Sequence, residues 1–122
     1  MSHDRQDLGQ LGEKLACDFL RKQGYKIIDQ NYRTRGGEID VIAKEGEMVV
    51  FVEVKTRISA EFGYPEEAID ARKQHKLAMT AEAYLAAHQL YEADYRIDAI
   101  GIEMERGGRL KNLRHEKDVV GW

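Results

Sequence analysis

Between Gly37 and Thr56 the chain carries a strand, a turn and a second strand. Glu38 to Val41 alternates acidic and aliphatic residues and the strand runs on to Lys44, Glu45-Gly46 is a turn signal, and Glu47 to Thr56 is the most apolar strand of the chain. Strict alternation places successive side chains on opposite faces of a sheet, so this segment predicts a hairpin. A turn at Glu45-Gly46 pairs Lys44 with Glu47, Ile42 with Val49, Asp40 with Phe51 and Glu38 with Glu53. In that register Glu38, Asp40 and Ile42 share a face with Val49, Phe51, Glu53 and Lys55, and Asp40 lies diagonal to Glu53. A one-residue slip would send the two carboxylates to opposite faces.

The flanking elements follow from period and punctuation. Leu8, Leu11, Leu15 and Phe19 recur at helical spacing over residues 5–23, and Gly24 stops that helix. Residues 25–33 read as a strand, with a turn at Gly36-Gly37. After a loop over 57–65 comes a long helix at about residues 66–89, with a break expected near Asp70, on the stripe Ala78, Ala81, Leu85 and His88. Tyr95 to Glu103 is a fourth strand, Gly107-Gly108 a turn, and Arg109 to Leu113 a short fifth strand. The order α-β-β-β-α-β, with that final short strand, predicts an α+β or mixed α/β fold.

The 122 residues suit a single domain over 1–122, with 1–6 and 115–122 expected to be flexible. The longest bulky apolar run, Met48 to Val52, falls far short of the roughly 20 residues of a membrane helix. No secretory signal opens the chain, and a lone cysteine, Cys17, excludes an internal disulfide. A cytoplasmic protein is expected. The net charge of −3 argues against coating nucleic acid by bulk charge, so any such partner must meet a local basic face.

The hairpin's acids are expensive for structure alone, because like charges facing each other across a sheet destabilise it. A cation among them resolves the cost. Mg²⁺ takes oxygen ligands, commonly one or two carboxylates with water and substrate phosphate. Asp40 and Glu53 fit that role, and Lys55, two residues on, reaches a water or phosphate beside the ion. This is equipment for metal-assisted phosphodiester hydrolysis. Glu13 lies at the border of the first helix's apolar face; it reaches the ion if that helix packs on the face holding Asp40 and Glu53, and is otherwise a surface glutamate. Arg72, Lys73 and Lys76 open the second helix, where phosphate contacts would suit, and Arg33, Arg35 and Arg57 flank the site. No two of the histidines have metal-ligand spacing.

Asp40 followed by a turn and Glu53-Val54-Lys55 resembles the half-motifs of the PD-(D/E)xK nuclease superfamily, with Ile39 in place of the proline. Gly12-Glu13, Asn31-Tyr32-Arg33, Gly37 through Ala43, Phe51 through Arg57, Lys73 through Leu77, Tyr84-Leu85 and Arg96-Ile97-Asp98 together resemble the YraN family of endonuclease-like bacterial proteins. That family is similar to archaeal Holliday-junction resolvases. The resemblance implies a restriction-endonuclease-like fold, a mixed β-sheet flanked by helices. It implies Glu13, Asp40, Glu53 and Lys55 as the catalytic set, with Glu13, Asp40 and Glu53 holding Mg²⁺ or Mn²⁺. DNA, including branched DNA, is the implied substrate, with Arg35, Arg57, Lys73 and Lys76 as its contacts and a homodimer as the implied assembly. The alternative is a module of the same fold that binds nucleic acid without cutting it. Asp98 fits the family pattern and has no chemical role legible in the sequence.

Overall fold

The computed structural model describes residues 5–58 and 70–120. Helix α1 (Arg5–Lys22) is followed by strands β1 (Lys26–Thr34), β2 (Gly37–Glu45) and β3 (Met48–Ile58), helix α2 (Ala71–Ala87), and strands β4 (Tyr95–Met104) and β5 (Leu110–Glu116). The five strands form one sheet in the order β1-β2-β3-β4-β5. Only β3 and β4 run parallel; the other neighbours are antiparallel. Parallel neighbours need a crossover, and α2 lies between them in sequence. The fold is α/β, a mixed sheet with a helix on each face, consistent with a restriction-endonuclease-like fold.

Each face buries its own core. Ala16, Cys17 and Leu20 of α1 pack with Val41, Ala43, Val50, Val52, Ile100 and Ile102. Leu77, Ala81, Tyr84 and Leu85 of α2 pack with Ile39, Ile42, Val49, Phe51 and Ile97. Near-continuous burial of β3 from Val49 to Glu53 reflects coverage on both sides. Gly12 is required where α1 crosses β3, because a Cβ there would run into the side chain of Thr56.

Helix α2 begins at Ala71, with Asp70 as its N-cap; the Asp70 carboxylate accepts the Lys73 N–H at 2.9 Å. The start expected at residue 66 lies outside the described residues. Of the end expected to be flexible, residues 115–120 are held by contacts. His115 Nε2 lies 2.8 Å from Asp98, the Asp118 N–H donates to Asp98 at 2.9 Å, the Val119 N–H donates to Ile97 at 2.8 Å, and Val120 is buried. Asp98, fully buried, also accepts from Arg96 at 2.9 Å, and Arg96 reaches on to Glu45 and to the Tyr25 hydroxyl. Asp98 is thus the knot that ties the end of the chain to β4 and β2.

Two expectations about the hairpin are corrected. The loop is Gly46-Glu47, with Glu45 opposite Met48, so the register is displaced by two residues: Ile42 faces Phe51 and Val41 faces Val52. Gly46, at φ +61°, takes the first loop position, where a type II′ turn requires glycine. The second correction concerns alternation. Ile39 and Ile42 both pack under α2, whereas Val41 and Ala43 face α1, so the faces exchange at Asp40. Glu38 therefore lies toward α1, and Glu38, Asp40 and Ile42 do not share one face. The neighbouring strand changes with it. Gln30 borders the same depression as Glu13 and Cys17 of α1, while Tyr32 packs edge-on against Tyr84 of α2. The exchange falls at Asn31, which has φ 54°.

Candidate active site

Strands β2 and β3 pair only as far as Val41 and Val52. Beyond that point β2 continues beside β1 to Gly37, and β3 continues beside β4 to Ile58. The two strands fork, and Asp40 and Glu53 are the first residues past the fork. A fork leaves backbone groups without ladder partners. Asp40 supplies one: its Oδ2 accepts the Val54 N–H at 2.7 Å. The hydrogen bond locks the carboxylate against β3, beside Glu53.

The electrostatics follow from this crowding. Burial first and the neighbouring Glu53 charge second push the Asp40 carboxyl up to about 8, and the Val54 N–H only partly offsets them. Glu53 is itself only 7% exposed. Its one described ion pair is with Lys73, whose Nζ lies 3.5 Å from Oε1. Burial and the nearby Lys73 ammonium lower the Lys55 pKa, against the opposing pull of Glu53 and Asp40.

Glu13 approaches from α1. It is half-buried; burial raises its pKa, the Asn31 side chain works against the rise, and Glu38 and Glu53 add to it. Among the described residues, no three His, Cys, Asp or Glu side chains are placed to hold a metal ion together, so Glu13, Asp40 and Glu53 do not form the three-ligand set expected. The arrangement is a carboxylate pair, Asp40 and Glu53, with Glu13 facing it.

Asp40, Glu53 and Lys55 are therefore brought together as expected. Lys73, expected on a nucleic-acid rim, stands in the centre on Glu53. Arg35 and Lys76 border a shared depression with Arg33 and Gly37. Lys76 also borders a second depression with Arg72 and Lys73, at the start of α2. Arg57 lies apart from these, in a groove with Gly9, Glu13 and Lys55 on the α1 side. Sequence reasoning missed Asn31 as a partner of Glu13. The only signal was an asparagine inside a strand, a residue type that tolerates φ > 0.

The described helices include none long and apolar enough to cross a membrane. The family model described as Uncharacterised protein family UPF0102 matches residues 12–102, which span the whole candidate site. Relatives described as UPF0102 protein include one from Syntrophotalea carbinolica, 42% identical over all of both chains. One from Trichlorobacter lovleyi is 44% identical over 84% of this chain and 81% of its own. One from Caldicellulosiruptor saccharolyticus is 46% identical over 83% and 86%. A solved structure of Pyrococcus furiosus SfsA in complex with Ca²⁺ matches with a TM-score of 0.45 and 21% identity, over 93% of this chain and 64% of that one. The family model covers most of the chain and the relatives are more than 40% identical to it, and the chain belongs to the YraN family, UPF0102.

Proposed function

We propose that the protein is a Mg²⁺- or Mn²⁺-dependent endonuclease that hydrolyses phosphodiester bonds in DNA. The observation that carries this reading is the Asp40–Glu53 pair at the fork. A half-buried carboxyl, Asp40, and a buried one, Glu53, are held side by side, the first by a backbone N–H that fixes its direction. Such a pair resists losing both protons unless a cation joins it. The donor set suits a hard divalent ion, which takes one or two carboxylates and keeps water in its remaining positions. Asp40 and Glu53 would hold the ion and Glu13 would bind its water. When bound, the ion supplies Lewis-acid polarisation of a phosphoryl oxygen and a more acidic water.

The chain's own residues provide the rest. Lys55 emerges past the fork beside both acids, where an ammonium can orient the attacking water and stabilise charge developing on the phosphate. Arg35 and Lys76 on one side and Arg57 on the other offer cations to backbone phosphates, which position a nucleic acid without reading its sequence. Selectivity for branched DNA is the finer part of the proposal and rests on the resolvase resemblance.

The test assays binding and cleavage of duplex, single-stranded and branched DNA together while Mg²⁺ or Mn²⁺ is titrated. Metal-dependent cleavage that disappears in Glu53→Gln supports the proposal. Binding without cleavage under either metal overturns it in favour of the non-catalytic module.

A further inference from the structure

The acidic pair is already served by a cation of the chain itself. Lys73 Nζ lies 3.5 Å from Glu53 Oε1, the side chain of Glu53 being 9% exposed and that of Lys73 32%. Lys73 belongs to the first turn of α2, and its backbone N–H is held by the Asp70 cap. The backbone is thus anchored while the long side chain remains free to change partners. The Lys55 ammonium stands near enough to feel the charge of Lys73. Two like charges that close repel each other, and Glu53 is the counter-charge that holds them together.

We propose that Lys73 is a resident counter-ion that a divalent cation must displace from Glu53, and that displacement delivers the Lys73 ammonium to the phosphate of the substrate. The inference rests on the metal reading above and adds a regulatory step to it. Without metal Glu53 keeps an ammonium as its counter-charge. A metal ion and an ammonium compete for one oxygen of Glu53. Once released, Lys73 keeps its place at the start of α2, beside Arg72 and Lys76 and facing the same centre as Lys55. Loading with metal therefore also completes the cationic surface that receives the nucleic acid.

The opposing expectation is that Lys73 merely braces α2 against β3. The two roles predict opposite signs for metal affinity. A brace, once removed, loosens the site and weakens metal binding; a competitor, once removed, tightens it. The experiment is calorimetric titration of the full chain with Mn²⁺, comparing wild type, Lys73→Met, Lys73→Arg and, as a remote control, Lys111→Met on the exposed part of β5. Melting curves without metal report folding for each variant. The expected result is about fivefold tighter Mn²⁺ binding by Lys73→Met, the scale of one partly exposed ion pair. Lys73→Arg should return to near the wild-type affinity and Lys111→Met should stay at it. In a parallel titration with short DNA in the presence of Mn²⁺, Lys73→Met should bind more weakly than wild type. Unchanged or weaker Mn²⁺ binding by a folded Lys73→Met overturns the inference and leaves the metal reading intact. Absence of Mn²⁺ heat in both wild type and Lys73→Met overturns the metal reading and the displacement step with it. Binding by Lys73→Met alone would be the strongest support.

Discussion

Asn31 and Asp40 face each other across the β1–β2 ladder, between the pairs Gln30–Val41 and Tyr32–Ile39, and side-chain alternation reverses at both. The left-handed backbone of Asn31 absorbs the reversal on one strand. The consequence on the other is that Asp40 turns toward β3 and caps the Val54 N–H. One local defect in the sheet thus orients Asp40.

This geometry gives Asp40 a pH signature. Its carboxyl is raised by burial first and Glu53 second, to about 8, from an ordinary value near 3.8. Between those values the folded state holds a proton that the unfolded state has released, so stability falls as pH rises through the window. Asp40→Asn keeps an acceptor for Val54 and removes the charge. Without metal it should flatten that fall and melt higher than wild type at pH 8. With millimolar Mg²⁺ it should lose most of the metal-induced rise in Tm that a ligand of the folded state produces in wild type. Differential scanning calorimetry at several pH values, with and without Mg²⁺, measures both.

Lys55→Ala removes a cation and leaves Asp40 and Glu53 in place. Single-turnover cleavage of a branched DNA should fall by about 10²–10³, the usual loss for one group acting on transition-state charge. Metal and DNA binding should persist. Cleavage at the wild-type rate would falsify the role given to Lys55.

Arg35 and Lys76 share one depression on the α2 side of the site. Arg35→Ala combined with Lys76→Ala should weaken DNA binding and flatten its salt dependence, by about one unit of slope for each phosphate that is no longer neutralised. Fluorescence anisotropy over a salt series reads both quantities. An unchanged slope would place the nucleic-acid surface elsewhere, with Arg57 on the α1 side as the next candidate.

Asp98 should govern acid stability. Burial pushes its carboxyl up, but His115, Arg96 and the Asp118 N–H together outweigh burial and hold it below its ordinary value. Its contribution is therefore present above the unfolded-state value near 3.8 and is lost as pH falls through the lower folded-state value. Asp98→Ala leaves Arg96 and His115 without their shared acceptor and should cost about 3 kcal/mol at neutral pH. Urea unfolding at pH 7 and pH 3 tests this; the gap between wild type and variant should narrow at the lower pH.

Gly12 sits against Thr56, where α1 approaches β3 most closely. Gly12→Ala should cost about 1–3 kcal/mol despite its better helix propensity, because the added methyl overpacks this crossing point. Adding Thr56→Ala should recover part of that loss, since touching residues are energetically coupled. Additive losses in a double-mutant cycle would argue against direct overlap as the cause.

The local pattern determined the element order and the chemical content of the site. Apolar spacing marked α1, alternation marked β2 and β3, and the two-residue spacing of Glu53 and Lys55 marked a carboxylate and an ammonium that belong together. The fold class followed, because two helices and a run of strands with apolar faces have few ways to bury them. What remained hidden was non-local. The loop type moved the hairpin by two residues, an even shift that kept Glu53 and Lys55 on their expected face but brought Asp40 directly past the fork. The exchange of faces at Asn31 and Asp40 violates the period-two rule on which strand reading depends, so no pattern of alternation could reveal it. The position of Lys73 depended on where α2 docks, and helix spacing reports which side chains share a face but not what that face meets. Sequence thus determined which groups this protein carries and on which elements; only the packing of α1 and α2 against a forked sheet decided that Glu13 feels the charge of Glu53, that Val54 orients Asp40, and that Lys73 rests on Glu53.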